Sequence, residues 1–94
     1  MHINLNNKVA IITGAAKGIG KIIAKEMAAE GVSLALWDRD ISSLNETVQE
    51  IETEHSKVIA IECDVKSNDQ IMVALEKTLA EYGTVNILVA YSAR

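Results

Sequence analysis

The residues whose types and spacing could do chemistry stand early in the chain. Thr13-Gly14-Ala15-Ala16-Lys17-Gly18-Ile19-Gly20 directly follows the apolar run Val9-Ala10-Ile11-Ile12. A strand, a glycine-rich turn and a helix in that order make a phosphate-binding site. The backbone must leave a strand, reverse tightly and start a helix whose first amides have no partner, and those N–H groups with the helix dipole favour an anion. Gly14 permits a positive φ at the tight turn. Gly18 lets the backbone approach a pyrophosphate with no Cβ in the way, and Gly20 lets the helix pack closely on the strand. The spacing Gly-x-x-x-Gly-x-Gly is a variant of the dinucleotide pattern Gly-x-Gly-x-x-Gly, and by itself three glycines make only a turn. The flanking strand, the flanking helix and an acidic residue downstream all agree with the phosphate reading.

That acidic residue is Asp38, eighteen positions after Gly20. At the end of a second strand it would face the adenosine ribose, accept hydrogen bonds from both hydroxyls and repel a 2′-phosphate. Two like charges about 4 Å apart cost about 4 kcal/mol at an effective dielectric of about 20, which favours NAD over NADP. Lys17 in the turn and Arg39 beside Asp38 pull the other way, since either could reach a 2′-phosphate, but both are long and mobile. The alternative for Asp38 is a solvated loop acid or a helix cap. Asp64 and Val65 follow a third strand on the same sheet edge. There the carboxylate could meet the adenine amino group and Val65 could supply an apolar wall. The alternative is an acid near the start of the third helix.

The elements that must position these groups alternate along the chain. Val9–Thr13 reads as a strand buried on both faces. A helix is predicted from about Ile19 to Glu30, with Ile19, Ile22, Ile23 and Met27 on one face and Gly31 as its cap. Val32–Trp37 gives the second strand. Asp40 or Ser42 caps a second helix that carries Leu44, Val48 and Ile51 on one stripe to about Glu54. Glu46, Glu50, Glu52 and Glu54 form its solvated outer face, not a metal site. Val58–Ile61 is the third strand. Ser67-Asn68-Asp69-Gln70 is a capping box for a third helix, Asp69 to Tyr82, whose buried face is Ile71 or Met72, Leu75, Leu79 and Tyr82, with Gly83 closing it. Ile87–Ala90 is the fourth strand. Strands separated by helices of this length imply right-handed crossovers and an α/β, Rossmann-like, doubly wound parallel sheet of the pattern βαβαβαβ, in the order 3-2-1-4. The glycine turn leaves the carboxyl end of the first strand, beside the switch point between strands one and four.

Ninety-four residues make at most one small domain, and residues 1–94 read as one partial dinucleotide-binding domain. The net charge of −4 argues against a general nucleic-acid or anionic-membrane binder. Cys63, the single cysteine, excludes an intrachain disulfide and a thiol metal cluster and reads as a small apolar core residue. His2 and His55 have no partner at metal-ligand spacing. His2, Asn4, Asn6 and Asn7 interrupt any N-terminal signal sequence, and no apolar run reaches membrane-spanning length, so the chain reads as soluble and cytoplasmic.

At this point the chain resembles the short-chain dehydrogenase/reductase family. The resemblance is carried by Thr13 to Gly20, by Asp38, by Cys63-Asp64-Val65 and by Val85-Asn86-Ile87-Leu88-Val89, and spans about Leu5 to Val89. It implies NAD(P)-dependent oxidation of alcohols or reduction of ketones, with 3-oxoacyl, sugar and steroid alcohols among the substrates. Carried over, Gly14, Gly18, Ile19 and Gly20 would hold the pyrophosphate, Asp38 the ribose, and Asp64 and Val65 the adenine.

Two departures shape the expectation. After the fourth strand the family usually has Asn-Asn-Ala-Gly, where this chain reads Ala90-Tyr91-Ser92-Ala93-Arg94. The family's catalytic Ser and Tyr-x-x-x-Lys lie later, and neither Tyr82 nor Tyr91 is followed by Lys at that spacing. Ser92 is no substitute, and no catalytic residue is assigned. Hydride transfer needs a proton donor beside the carbonyl and a closed nicotinamide pocket. The expectations are therefore a cofactor-binding half inactive alone, a self-standing nucleotide-binding module or pseudoenzyme, or an enzyme completed by a second chain. The abrupt loss of resemblance suggests a truncation, a frameshift or the end of an expressed segment. In the complete fold the fourth strand is interior. Here it would be an exposed apolar edge through which the chain self-associates.

Overall fold

The computed structural model describes residues 7–52 and 57–90. In chain order the elements are β1 (Val9–Thr13), α1 (Gly18–Ala29), β2 (Ser33–Asp38), α2 (Ile41–Ile51), β3 (Val58–Glu62), α3 (Asn68–Tyr82) and β4 (Ile87–Val89). The four strands form one parallel sheet in the order β3-β2-β1-β4, the expected topology. Parallel neighbours need helical crossovers, and each helix buries the sheet face that its crossover passes over.

The period of two along each strand decides which helix meets which residue. Ala10 and Ile12 of β1, Leu34 and Leu36 of β2 and Val58 of β3 point to one face, where Ala24 and Ala28 of α1 and Leu44 and Ile51 of α2 cover them. Ile11, Ala35, Trp37 and Ile61 point to the other, where Cys63, just after β3, and Ala74 of α3 complete a second core. Register follows: Ile11 lies beside Ala35 on one side and Leu88 on the other. β1 is buried along its whole length, because it has a strand on both sides and helices on both faces.

Two helical faces differ from expectation. On α1, Ile19 and Ile22 are exposed, while Gly20, Ala24 and Ala28 form the buried stripe with Ile23 and Met27 beside it. A helix drawn tightly onto a strand presents its small residues, and the larger apolar ones are displaced outward. On α3, Met72 and Leu79 are exposed, whereas Ala74 and Thr78 are buried and Ile71, Leu75 and Tyr82 pack at the edge. Thr78 is tolerated there because its hydroxyl donates to Ala74 O at 2.8 Å and accepts from Trp37 Nε1 at 3.2 Å.

Helix ends follow their caps. Asp40, not Ser42, caps α2, accepting from Ser43 N at 3.1 Å and from Ser43 Oγ at 2.9 Å. Those bonds, with the nearby Lys17 charge, hold its carboxyl below the usual range. α2 ends at Ile51, and Glu54 and His55 lie outside the described residues, as do Leu5, His2 and Tyr91 to Arg94. Gly83 closes α3 with φ +76°, and its N–H donates to Leu79 O. Ser67 caps α3 by accepting from Gln70 N at 3.2 Å, but the reciprocal half of the expected capping box is not made. The Gln70 amide oxygen instead accepts from Asp64 N at 2.8 Å. Cys63 is buried, and desolvation, with the Asp64 charge, pushes its thiol up. No helix among the described residues is long and apolar enough to cross a membrane.

Candidate nucleotide-binding site

The turn between β1 and α1 has the geometry that its glycines allow. Gly14 and Gly18 both have φ +66°, a region L side chains rarely adopt. Gly20 is required for a different reason. A Cβ there would lie 2.2 Å from Gly14 O and 2.8 Å from Gly14 C, so only glycine lets α1 lie this close to the turn. At Gly18 the same construction meets nothing within 4 Å, so the approach from solvent is open.

The start of α1 differs from that of its neighbours. Asp40 caps α2 and Ser67 caps α3, but the N-cap residue of α1, Lys17, makes no side-chain cap and the first turn holds no acidic residue. Lys17, Gly18 and Ile19 are exposed. The start of α1 thus lies exposed with no side-chain cap from its N-cap residue and no acidic residue in its first turn, an arrangement suited to an anion.

The turn is held from behind. Gly14 N donates to Trp37 O at 2.8 Å, which pins the turn to β2. The Asp38 carboxylate accepts from Ala16 N at 3.0 Å through Oδ2 and from Asp40 N at 3.0 Å through Oδ1. Asp38 is therefore the last residue of β2 and a latch on the glycine turn, a role the sequence reading did not include. A carboxylate has about four lone-pair positions, so two accepted bonds leave capacity for a ligand's hydroxyls. Arg39 next to it is exposed.

At the Ala16 carbonyl, the hydroxyl of fully buried Thr47 of α2 donates to Ala16 O at 3.1 Å. Thr47 was also absent from the sequence reading, which took only the aliphatic positions of α2 as its buried stripe. Its lying on that stripe, three residues after Leu44, was the available signal.

Asp64 and Val65 stand at the same carboxyl edge. Cys63 N donates to Asp38 O at 3.1 Å and so ties the end of β3 to the end of β2. Asp64 Oδ1 accepts from Lys66 N at 2.9 Å, and Gln70 holds the Asp64 backbone. Val65 is half-buried against the second core. Gly14, Asp38 and Asp64 thus leave the ends of three adjacent strands, beside the switch point where open parallel sheets bind their ligands.

A family model described as short chain dehydrogenase matches residues 8–93, against the span from about Leu5 to Val89 carried by the motifs. The chain is 37% identical over 90 residues to the 3-oxoacyl-[acyl-carrier-protein] reductase FabG of Chlamydia muridarum, covering 95% of this chain and 36% of that protein. It is 36% identical to the short-chain dehydrogenase/reductase homolog YusS of Bacillus subtilis, covering 92% of this chain and 80% of that protein. Among solved structures, a short chain dehydrogenase/reductase from Burkholderia phymatum in complex with NAD superposes with a TM-score of 0.86 at 32% identity, covering 93% of this chain and 31% of that one. Other curated relatives are likewise spanned over little more than a third of their length, 35% and 38% in two cases. Motif, strand order and sequence match agree over nearly the whole of these residues, and the chain belongs to the short-chain dehydrogenase/reductase family.

Proposed function

We propose that these residues are the NAD(H)-binding half of an oxidoreductase that transfers hydride between an alcohol or ketone and the nicotinamide. The observation that carries the reading is the open, uncapped start of α1 behind a turn whose backbone is locked. In this reading Gly14, Gly18, Ile19 and Gly20 hold the pyrophosphate, with Lys17 at its side. Asp38 takes the ribose hydroxyls, Arg39 stands outside them, and Asp64 and Val65 flank the adenine. The bound dinucleotide would supply the hydride chemistry. None of these 94 residues is assigned to the proton relay, because no Tyr-x-x-x-Lys stands among them. NAD is favoured over NADP because Asp38 is pinned by two backbone amides and cannot turn aside from a 2′-phosphate without breaking them.

A second reading, a self-standing nucleotide-binding module, is supported by the relative of which this chain covers 80%. The intact mass of the protein as its cell makes it separates the two. A mass near the 10.2 kDa of this chain favours the module, and one several-fold larger favours the cofactor half. Calorimetric titration with NAD tests both. Saturable binding is expected, and Gly18→Val should abolish it, because a β-branched residue is strained at φ +66° and fills the open approach. Equal NAD affinity in Gly18→Val would remove the turn from the site.

A further inference from the structure

We infer that Thr47 is a positioning residue for the phosphate turn: its hydroxyl, reaching from α2, sets the direction in which the turn presents its amides. The inference rests on the dinucleotide reading above and concerns a side chain remote in sequence from the glycine motif.

Three observations carry it. First, Thr47 and Ala16 are both buried, with exposures of 0% and 4%, so the Ala16 carbonyl has little water to turn to and needs a partner within the protein. Second, the Thr47 hydroxyl lies 3.1 Å from Ala16 O and 3.2 Å from Ser43 O. A hydroxyl has one proton to give. Ser43 O stands four residues earlier in α2, where a helix supplies a backbone N–H to the carbonyl in any case. The bond to Ala16 is the one that links two elements. Third, the Ala16 N–H is taken by Asp38 Oδ2 at 3.0 Å. The peptides on both sides of Ala16 are therefore fixed, one from β2 and one from α2.

The consequence follows from peptide planarity. In a trans peptide the C=O and the next N–H point in opposite directions. With Ala16 O held toward α2, the Lys17 N–H must point away from α2, on the exposed stretch that continues into Gly18 and Ile19. Without the hydroxyl this peptide loses its fixed orientation, and a ligand must pay to order it. A merely structural threonine would affect the stability of α2 and leave the affinity of the folded protein unchanged.

The experiment compares NAD affinity by calorimetry for the 94-residue chain, Thr47→Val, Thr47→Ser and Tyr82→Phe. Thr47→Val keeps the shape and removes the donor. It should weaken NAD binding about three- to tenfold, the range of one net hydrogen bond. Thr47→Ser should restore affinity to within about twofold by the same measure. Tyr82→Phe, which removes the Tyr82 hydroxyl's part-buried hydrogen bond to Leu34 O at the amino ends of the strands, should lower the melting temperature and leave NAD affinity unchanged. Wild-type affinity in folded Thr47→Val overturns the inference alone, as does equal weakening in Thr47→Val and Tyr82→Phe. No NAD binding by the wild type overturns the dinucleotide reading and this inference with it. If Thr47→Val does not fold, NMR of the wild type decides: an exchange-protected Thr47 hydroxyl proton that shifts on NAD addition supports the inference, and a freely exchanging one overturns it.

Discussion

Asp38 shows how one side chain serves two demands. Its carboxylate is a latch on Ala16 N and Asp40 N and also the charge that would face a ribose. The two roles separate in substitutions. Asp38→Asn removes the charge and retains a carbonyl oxygen that can accept from Ala16 N. It should raise NADP affinity relative to NAD about tenfold, equivalent to about 1.4 kcal/mol. Asp38→Ala removes latch and charge together, so it should raise the same ratio while weakening binding of both dinucleotides. Parallel titrations with NAD and NADP check this. An unchanged ratio in both variants would take Asp38 out of the ribose site. The place of Asp38 at the end of β2 was legible because an acid ending a strand at this distance from a glycine turn is a local signal. The latch was not, because its partner lies twenty-two residues away.

At the scale of elements, the contact between α1 and β1 depends on Gly20. A methyl there would meet backbone, which cannot swing aside as a side chain can. Gly20→Ala should therefore push α1 off the turn and cost about 1–3 kcal/mol, the usual range for overpacking, read as a lower urea midpoint, and should reduce NAD affinity as well. Unchanged stability would mean that the helix retreats at no cost. The same closeness explains the misplaced face of α1. Hydrophobicity placed Ile19 and Ile22 inside, but the helix meets the sheet through Gly20, Ala24 and Ala28. Among the described residues of the acidic outer face of α2, Glu46, Glu50 and Glu52 are exposed, as expected for a solvated surface, with one addition. Glu50 accepts from Lys21 Nζ at 2.9 Å and lies 3.6 Å from Lys25 Nζ, so the face also ties α2 to α1. The Lys21 hydrogen bond is the main cause of the lowered Glu50 carboxyl.

At the scale of the molecule, Tyr82 closes the amino edge of the sheet. Its hydroxyl, with one proton to give, lies 2.8 Å from Leu34 O and 3.1 Å from Lys57 O, next to the Lys57–Glu81 ion pair. Burial first, then the charges of Glu81 and Glu52, push its ionisation well above the ordinary tyrosine value. In the unfolded chain Tyr82 ionises near pH 10, whereas the folded chain retains the proton. Its stabilisation is thus fully present below about pH 10 and is lost as pH rises beyond it. Urea titrations across that range should show falling stability in the wild type and a flatter profile in Tyr82→Phe. Identical slopes would dissociate Tyr82 from alkaline unfolding. Among the described residues β4 is a lateral edge strand of the sheet, pairing with β1 on one side, and its Leu88 is 64% exposed. We propose that the chain self-associates through this edge, which would give a mass that rises with concentration in light scattering and falls back in Leu88→Lys. A clean monomer at all concentrations would sink it.

The sequence by itself determined the alternation of elements, the parallel sheet order and the place of the glycine turn. Each of these follows from local signals: apolar runs of strand length, helical periodicity, caps, and glycines where backbone conformation demands them. Tertiary structure decided which helix faces are buried, that the Gln70 side chain serves Asp64, and that Asp38 and Thr47 meet at Ala16, one at its N–H and the other at its carbonyl. Those outcomes depend on the distance between packed elements, and a polar side chain's partner is chosen only when the elements meet.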